Sequence, residues 1–247
     1  MGNSIKIFDT VDELARYFAS LLASRIRETP DCQSFSWLLS GGNTPKLIFR
    51  YIGSNLRDTI NWNKVKIFWS DERCVGPEDE ESNFKMAKYN LFDFVPIPSS
   101  NIFRVQGEAE PSIEAARYSE LFVRHVNMVH GIPHADLLLL GLGEDGHTAS
   151  IFPDNIDLFN SDKLFEPAER PDTKQKRITA TGKIINHAKL IVILATGESK
   201  ASMVNQVINH LAGWEQLPVS RVRPPKGNII WLLDKQAAYK IKSDIKN

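Results

Sequence analysis

The sequence lacks an excess of charge of either sign: its 247 residues hold 30 Lys and Arg against 30 Asp and Glu. No basic or acidic field therefore marks it as a partner of nucleic acid or of an anionic membrane, and affinity for a charged ligand has to come from a local cluster. Cysteine is scarce. Cys32 and Cys74 are the only two; they are too few for a disulfide framework and stand in no metal-ligand spacing, so reduced thiols in a cytoplasmic protein are expected. No apolar run approaches the roughly 20 residues that a membrane helix needs. The first residues carry Asp9, Asp12 and Glu13 where a secretory leader would carry an apolar stretch, so no leader is expected. His125, His130, His134, His187 and His210 form no ligand spacing, and Gly131 and Pro133 interrupt the helix that would align His130 with His134. No metal and no cofactor are expected. Internal repeats, low-complexity tracts and a clear linker are also missing, which leaves a single domain over residues 1–247.

The periodicity that is present alternates between two kinds. Thr10-Val-Asp-Glu13 reads as a capping box, and Leu14, Phe18, Leu21, Leu22 and Ile26 recur at helical spacing, which predicts a helix over 11–28. Further helices are expected over 46–56 (Thr44 as cap, Pro45 at the first helical position), 83–92 (capped by Ser82), 111–130, 198–211 and a short one after Asp234. Short continuous apolar runs at 35–39, 65–69, 136–140, 190–195 and 228–233 read as buried strands. Strands of this kind alternating with helices indicate an α/β fold: a mostly parallel, Rossmann-like sheet with helices on both faces. Residues 155–176 are polar with weak periodicity and read as a long loop or small excursion near the mouth of the site.

In such sheets ligands bind outside the C-terminal strand ends. Four strands here run into polar or glycine-rich loops: Ser40–Thr44, Ser70–Arg73, Gly141–His147 and Thr196–Lys200. Gly41, Gly42, Asn43 and Thr44 lie between a strand and a helix, where exposed N–H groups and the helix N-terminus can hold phosphate; the plain alternative is a tight turn. This segment is neither a Walker A loop nor a dinucleotide fingerprint. Gly141, Gly143 and Gly146 do match Gly-x-Gly-x-x-Gly, but the acid expected about 20 residues on would be Asp162, with no strand before it, so a nucleotide is rejected.

His147 sits just beyond a strand end and can act as a general base, with Asp145 orienting its ring or touching substrate hydroxyls; otherwise it is a solvated loop histidine. Asp71-Glu72-Arg73 offers an arginine that grips an anion, placed by its carboxylate neighbours, or else a solvated cap. Lys200 opens a helix against the macrodipole, a conflict that a bound phosphate would offset. Arg177 is a weaker cationic candidate.

Together the stretches LLSGGNTPKLIF from Leu38, WSDERCVGPEDEESNFKMAKYNLF from Trp69, LLLLGLGEDGHTASIFP from Leu137, ATGESKA from Ala195 and WLLD from Trp231 resemble the 6-phosphogluconolactonase family, within the group that includes glucosamine-6-phosphate isomerase. The resemblance covers most of the chain. It implies metal-free ring opening of 6-phosphogluconolactone, a phosphorylated sugar lactone, to 6-phosphogluconate in the oxidative pentose phosphate pathway. It further implies His147 as the catalytic histidine, Gly41 to Thr44 as the phosphate loop, Lys200 as a phosphate ligand and Arg73 as a substrate-gripping arginine. The chain departs from the family at Thr181-Gly182-Lys183, where Leu-Pro is expected, which bears on Arg177. Two alternatives compete. The isomerase and deaminase of the same fold carry Asp-Glu-Tyr where this chain has Asp71-Glu72-Arg73, and a Glu five residues after the motif histidine, where this chain has Phe152. A non-catalytic sugar-phosphate-binding protein would keep the phosphate loop but would have no need of Asp145 and His147.

Overall fold

The computed structural model describes residues 3–241, so residues 1–2 and 242–247 of the expected domain lie outside the described residues. In chain order the elements are β1 (Asn3–Phe8), α1 (Val11–Glu28), β2 (Phe35–Leu39), α2 (Asn43–Asn55), β3 (Val65–Trp69), β4 (Asp71–Arg73), α3 (Asn83–Asn90), α4 (Pro111–His125), β5 (Met128–Val129), β6 (Ile132–Pro133), β7 (Leu137–Gly141), β8 (Phe165–Glu169), β9 (Lys176–Ala180), α5 (Gly182–Ile185), β10 (Leu190–Ala195), α6 (Ala201–Ile208), β11 (Asn228–Asp234) and α7 (Lys235–Ala238). Helix α1 occupies the expected span: the Thr10 hydroxyl accepts the Glu13 N–H at 3.2 Å, and Leu14, Phe18, Leu22 and Ile26 are its buried stripe.

Six strands pair in parallel in the order β1-β11-β10-β7-β2-β3. Every residue of β2 and of β10 is buried. Successive strand residues point to opposite faces, so both faces of this sheet are covered. From β2 the chain steps outward to β3, then returns to place β7 on the other side of β2. The loops that leave β2 and β7 therefore diverge, and a crevice opens between them at the C-terminal end of the sheet. Trp37 of β2 is fully buried and meets Phe18 of α1 (6.0 Å between ring centroids) and Phe49 of α2 (5.8 Å, edge-on), which fixes α2 against the sheet.

A second sheet, β4-β9-β8, is antiparallel and grows directly out of the first: Ser70 donates its N–H to Leu39 and accepts the Ala180 N–H through its carbonyl. Of the two readings of residues 155–176, the small excursion holds and the long loop does not. These residues form 3-10 turns over Pro153–Asn160, strand β8 and the tip of the β8–β9 hairpin. Glu166, Pro167 and Glu169 hide the strand pattern, and Pro167 is tolerated because β8 is an edge strand.

Other expectations shift as well. Helix α2 begins at Asn43 with Gly42 as its cap, two residues earlier than Thr44. Helix α4 stops at His125, where Val126 turns extended (φ −110°, ψ 143°), and His130 (φ +51°) and Gly131 (φ +78°) make the left-handed turn between β5 and β6. The helix expected over 198–211 is a 3-10 turn, Glu198–Lys200, followed by α6, and ends before His210 (φ +52°). Strand β1, with Ile5 and Ile7 half-buried at the sheet edge, was not expected at all.

Candidate active site

The crevice at the β2–β7 divergence is an open cavity of about 650 Å³. His147 lines it. After β7 the chain makes a tight loop, in which the Gly143 N–H donates to the His147 carbonyl (2.8 Å) and the Gly146 N–H to the Gly143 carbonyl (3.2 Å). A Cβ at Gly143 would overlap both His147 Nδ1 and Asp145 Oδ1, so glycine lets the pair lie against the backbone. Asp145 Oδ1 stands 2.6 Å from His147 Nδ1 and also accepts the His147 backbone N–H at 3.1 Å. With Nδ1 donating to the carboxylate, the neutral ring keeps its lone pair on Nε2, the tautomer a general base needs. Partial burial pushes the Asp145 carboxyl up, but the hydrogen bond and charge of His147 outweigh it and hold Asp145 at about 2. On its other side the imidazole packs on Phe152, 4.7 Å between centroids, and Phe152 is itself 2% exposed.

Cations line the cavity from two directions. Arg73 and Arg177 face each other across the β4–β9 ladder. Arg177 is only 5% exposed. It donates to Gln175 Oε1 at 2.8 Å and to Ser150 Oγ at 3.4 Å, and lies 3.7 Å from Asp71 Oδ2. Burial lowers its pKa below the ordinary range; Asp71 opposes the shift, and Arg73 and Arg170 add to it. Arg73 donates to the Glu81 carbonyl. Asp71 turns its carboxylate to Ser150 Oγ (2.6 Å) and away from Arg73. Glu72 also leaves the guanidinium alone: it is 2% exposed and accepts the N–H groups of Arg73, Asn83 and Phe84, each at 2.8 Å. The expected placement of Arg73 by its two acidic neighbours is thus backbone-mediated through Glu72, which ties β4 to the N-terminus of α3.

On the opposite wall, Lys200 Nζ lies 3.8 Å from Glu144 Oε1. Gly41 and Gly42 reach the cavity, and Gly42 adopts φ +106°. A Cβ at Gly41 would overlap the Asn83 side chain. The first helical hydrogen bond of α2 runs from the Lys46 N–H to the Gly42 carbonyl, so the Asn43 and Thr44 N–H groups precede the ladder and are available to an anion. The side chains of Asn43 and Thr44 do not line the cavity. Asn43 is exposed, and the Thr44 hydroxyl bonds the Thr196 hydroxyl at 2.6 Å, linking the α2 loop to the Lys200 loop. The structure therefore brings together His147, Asp145, Arg73, Asp71, Arg177, Lys200, Gly41 and Gly42 around one cavity.

Asn83, Arg170 and Asp172 also line the cavity, though none was among the expected site residues. Asn83, buried, donates to the Asp71 carbonyl at 2.9 Å. Arg170 and Asp172, paired at 2.7 and 3.0 Å, come from the β8–β9 hairpin tip. Only recognition of that hairpin could have pointed to the last two.

Residues 9–231 match the family model described as glucosamine-6-phosphate isomerases/6-phosphogluconolactonase. The chain is 40% identical over 202 residues to a 6-phosphogluconolactonase of Treponema pallidum (81% of this chain, 82% of the relative). It is 39% identical over 202 residues to one of Haemophilus influenzae (81% and 84%). The crystal structure of 6-phosphogluconolactonase from Leishmania guyanensis superposes with a TM-score of 0.86 at 26% identity, covering 98% of this chain and all of that one.

Proposed function

The chain belongs to the glucosamine-6-phosphate isomerase/6-phosphogluconolactonase family, and from that premise we propose that it hydrolyses 6-phospho-D-glucono-1,5-lactone to 6-phosphogluconate with His147 as the base. The relatives at 39–40% identity carry the lactonase name. The observation that carries the site assignment is the Asp145–His147 pair at 2.6 Å in a cavity lined by cations on two walls.

Water is the nucleophile. His147 Nε2 takes its proton as the oxygen attacks C1, and the carbonyl electrons move to oxygen to give a tetrahedral oxyanion. Arg73, at the β4 wall, stabilises that charge. Collapse restores the C1 carbonyl and breaks the bond to the ring oxygen, which takes the proton back from His147. The carboxylic acid so formed then ionises. Asp145, ionised throughout, holds the ring and offsets the imidazolium charge. The 6-phosphate sits against Gly41, Gly42, the first N–H groups of α2 and Lys200, where the helix N-terminus favours an anion. No helix among the described residues is long and apolar enough to cross a membrane; with unpaired Cys32 and Cys74, the cytoplasm suits the chain.

Phe152 argues against the isomerase and deaminase chemistry. It fills the position of the carboxylate expected there and is buried against the His147 ring. The test supplies purified protein with freshly formed lactone, coupled to 6-phosphogluconate dehydrogenase, and separately with glucosamine 6-phosphate. Acceleration of the first over the spontaneous rate, with no ketose formed from the second, is expected. The reverse pattern would assign the isomerase reaction.

A further inference from the structure

The two cationic walls of the cavity answer two different anionic groups. Arg73 and Arg177 stand directly opposite each other in the β4–β9 ladder, a placement that costs stability for like charges unless something offsets it. Their compensation is incomplete. Arg177 has one carboxylate, Asp71, at 3.7 Å, while its other contacts, Gln175 Oε1 and Ser150 Oγ, are neutral. Arg73 has no ion pair among the described residues and donates to the Glu81 carbonyl. The Nε–H groups of both arginines are buried without an acceptor. A buried donor without a partner is costly, and a charged one more so. Both arginines line the cavity.

This pair lies at the reacting end. The Arg177 guanidinium is 6.0 Å from the centroid of Phe152, whose ring is 4.7 Å from that of His147. Lys200 belongs to the other wall; the Gly41–Gly42 loop runs between the two, beside Asn83 at one end and tied to Thr196 through Thr44 at the other, and with Lys200 receives the phosphate. Hydrolysis at C1 makes a new anion, the aldonate carboxylate, where the oxyanion stood. A planar carboxylate with two oxygens matches paired guanidinium donors.

We infer that Arg73 and Arg177 together form a carboxylate subsite, so that the cavity holds the open-chain phosphoaldonate product by both ends. This rests on the lactonase reading and deepens it: Arg177 acts at the reacting carbon, not on the phosphate. The product is then a competitive inhibitor whose affinity depends on its carboxylate.

The test compares binding of 6-phosphogluconate with glucitol 6-phosphate, the same chain with a hydroxymethyl group in place of the carboxylate, by calorimetry. Wild-type protein is expected to bind the aldonate at least about tenfold more tightly, the scale of one charge-assisted contact. In R177Q, and independently in R73Q, whose side chain is less buried, the preference should fall to about twofold or less, with affinity for glucitol 6-phosphate retained. Equal binding of the two ligands by wild type, or a preference that survives in both variants, would overturn the subsite. Binding of neither ligand would overturn the phosphate assignment as well, and K200A losing both ligands equally would separate the two walls.

Discussion

At the residue scale, one carboxylate oxygen does two jobs. Asp145 Oδ1 accepts the His147 backbone N–H, which shapes the loop, and faces Nδ1, which sets the tautomer. An amide at this position can keep the first contact but cannot balance the imidazolium charge. D145N should therefore lower kcat by about 10²-fold or more while KM changes little, because general base catalysis contributes on that scale. Steady-state kinetics on the coupled assay measures it, and a change confined to KM would make Asp145 a substrate ligand instead. Asp145 and His147 were legible in the sequence because they are neighbours in the chain and follow an unmistakable strand. Arg177 was legible only weakly, since its importance comes from a cross-strand partner more than a hundred residues away. The Arg170–Asp172 rim was not legible, because no local pattern says where a hairpin tip will lie.

At the scale of elements, the site depends on strand ends being tied to the helices that follow them. Asp234 closes β11 by accepting the Ala237 N–H at 2.7 Å, and with both oxygens it accepts the Gly197 N–H at 3.0 Å. It thereby holds the loop that presents Lys200. D234A should cost about 1–2 kcal/mol of stability, the size of a lost cap, and raise KM more than it lowers kcat; denaturant unfolding with kinetics checks both. Glu72 plays the same part for α3. Burial pushes its carboxyl from 4.5 up to about 7 against the pull of three backbone N–H groups. The folded state therefore binds the proton more tightly than the unfolded one. The contribution of Glu72 is fullest below pH 4.5 and is lost as pH rises through 7. Wild-type stability relative to E72Q should thus fall between pH 4.5 and 7, by on the order of 3 kcal/mol at most, and denaturant titrations across that range measure the gap. A gap that widened with rising pH would contradict the sign. The central strands were readable from their continuous apolar runs, and the caps Thr10, Ser82 and Asp234 from their side-chain chemistry. Strand β1 and the β8–β9 hairpin were not, because an edge strand needs to bury only part of its surface and tolerates charge and proline.

At the scale of the whole molecule, a chain of zero formal net charge concentrates arginine and lysine where the strand order reverses. Its parallel sheet supplies the rigid frame, and the second sheet brings Arg73 and Arg177 to one rim. A ligand that spans the crevice binds only the folded chain. At 100 times its Kd, 6-phosphogluconate should add about 2.7 kcal/mol, which for a chain of this length raises Tm by about 5–10 °C; thermal unfolding with and without product reads the shift. The most direct measurement of the central claim is the rate of lactone hydrolysis by H147A, set beside wild type and the spontaneous reaction in the same buffer. The expected result is a variant that folds, still binds 6-phosphogluconate, and accelerates hydrolysis at least about 10²-fold less than wild type. An H147A protein that matched wild type in acceleration would contradict the assignment of His147 as the base.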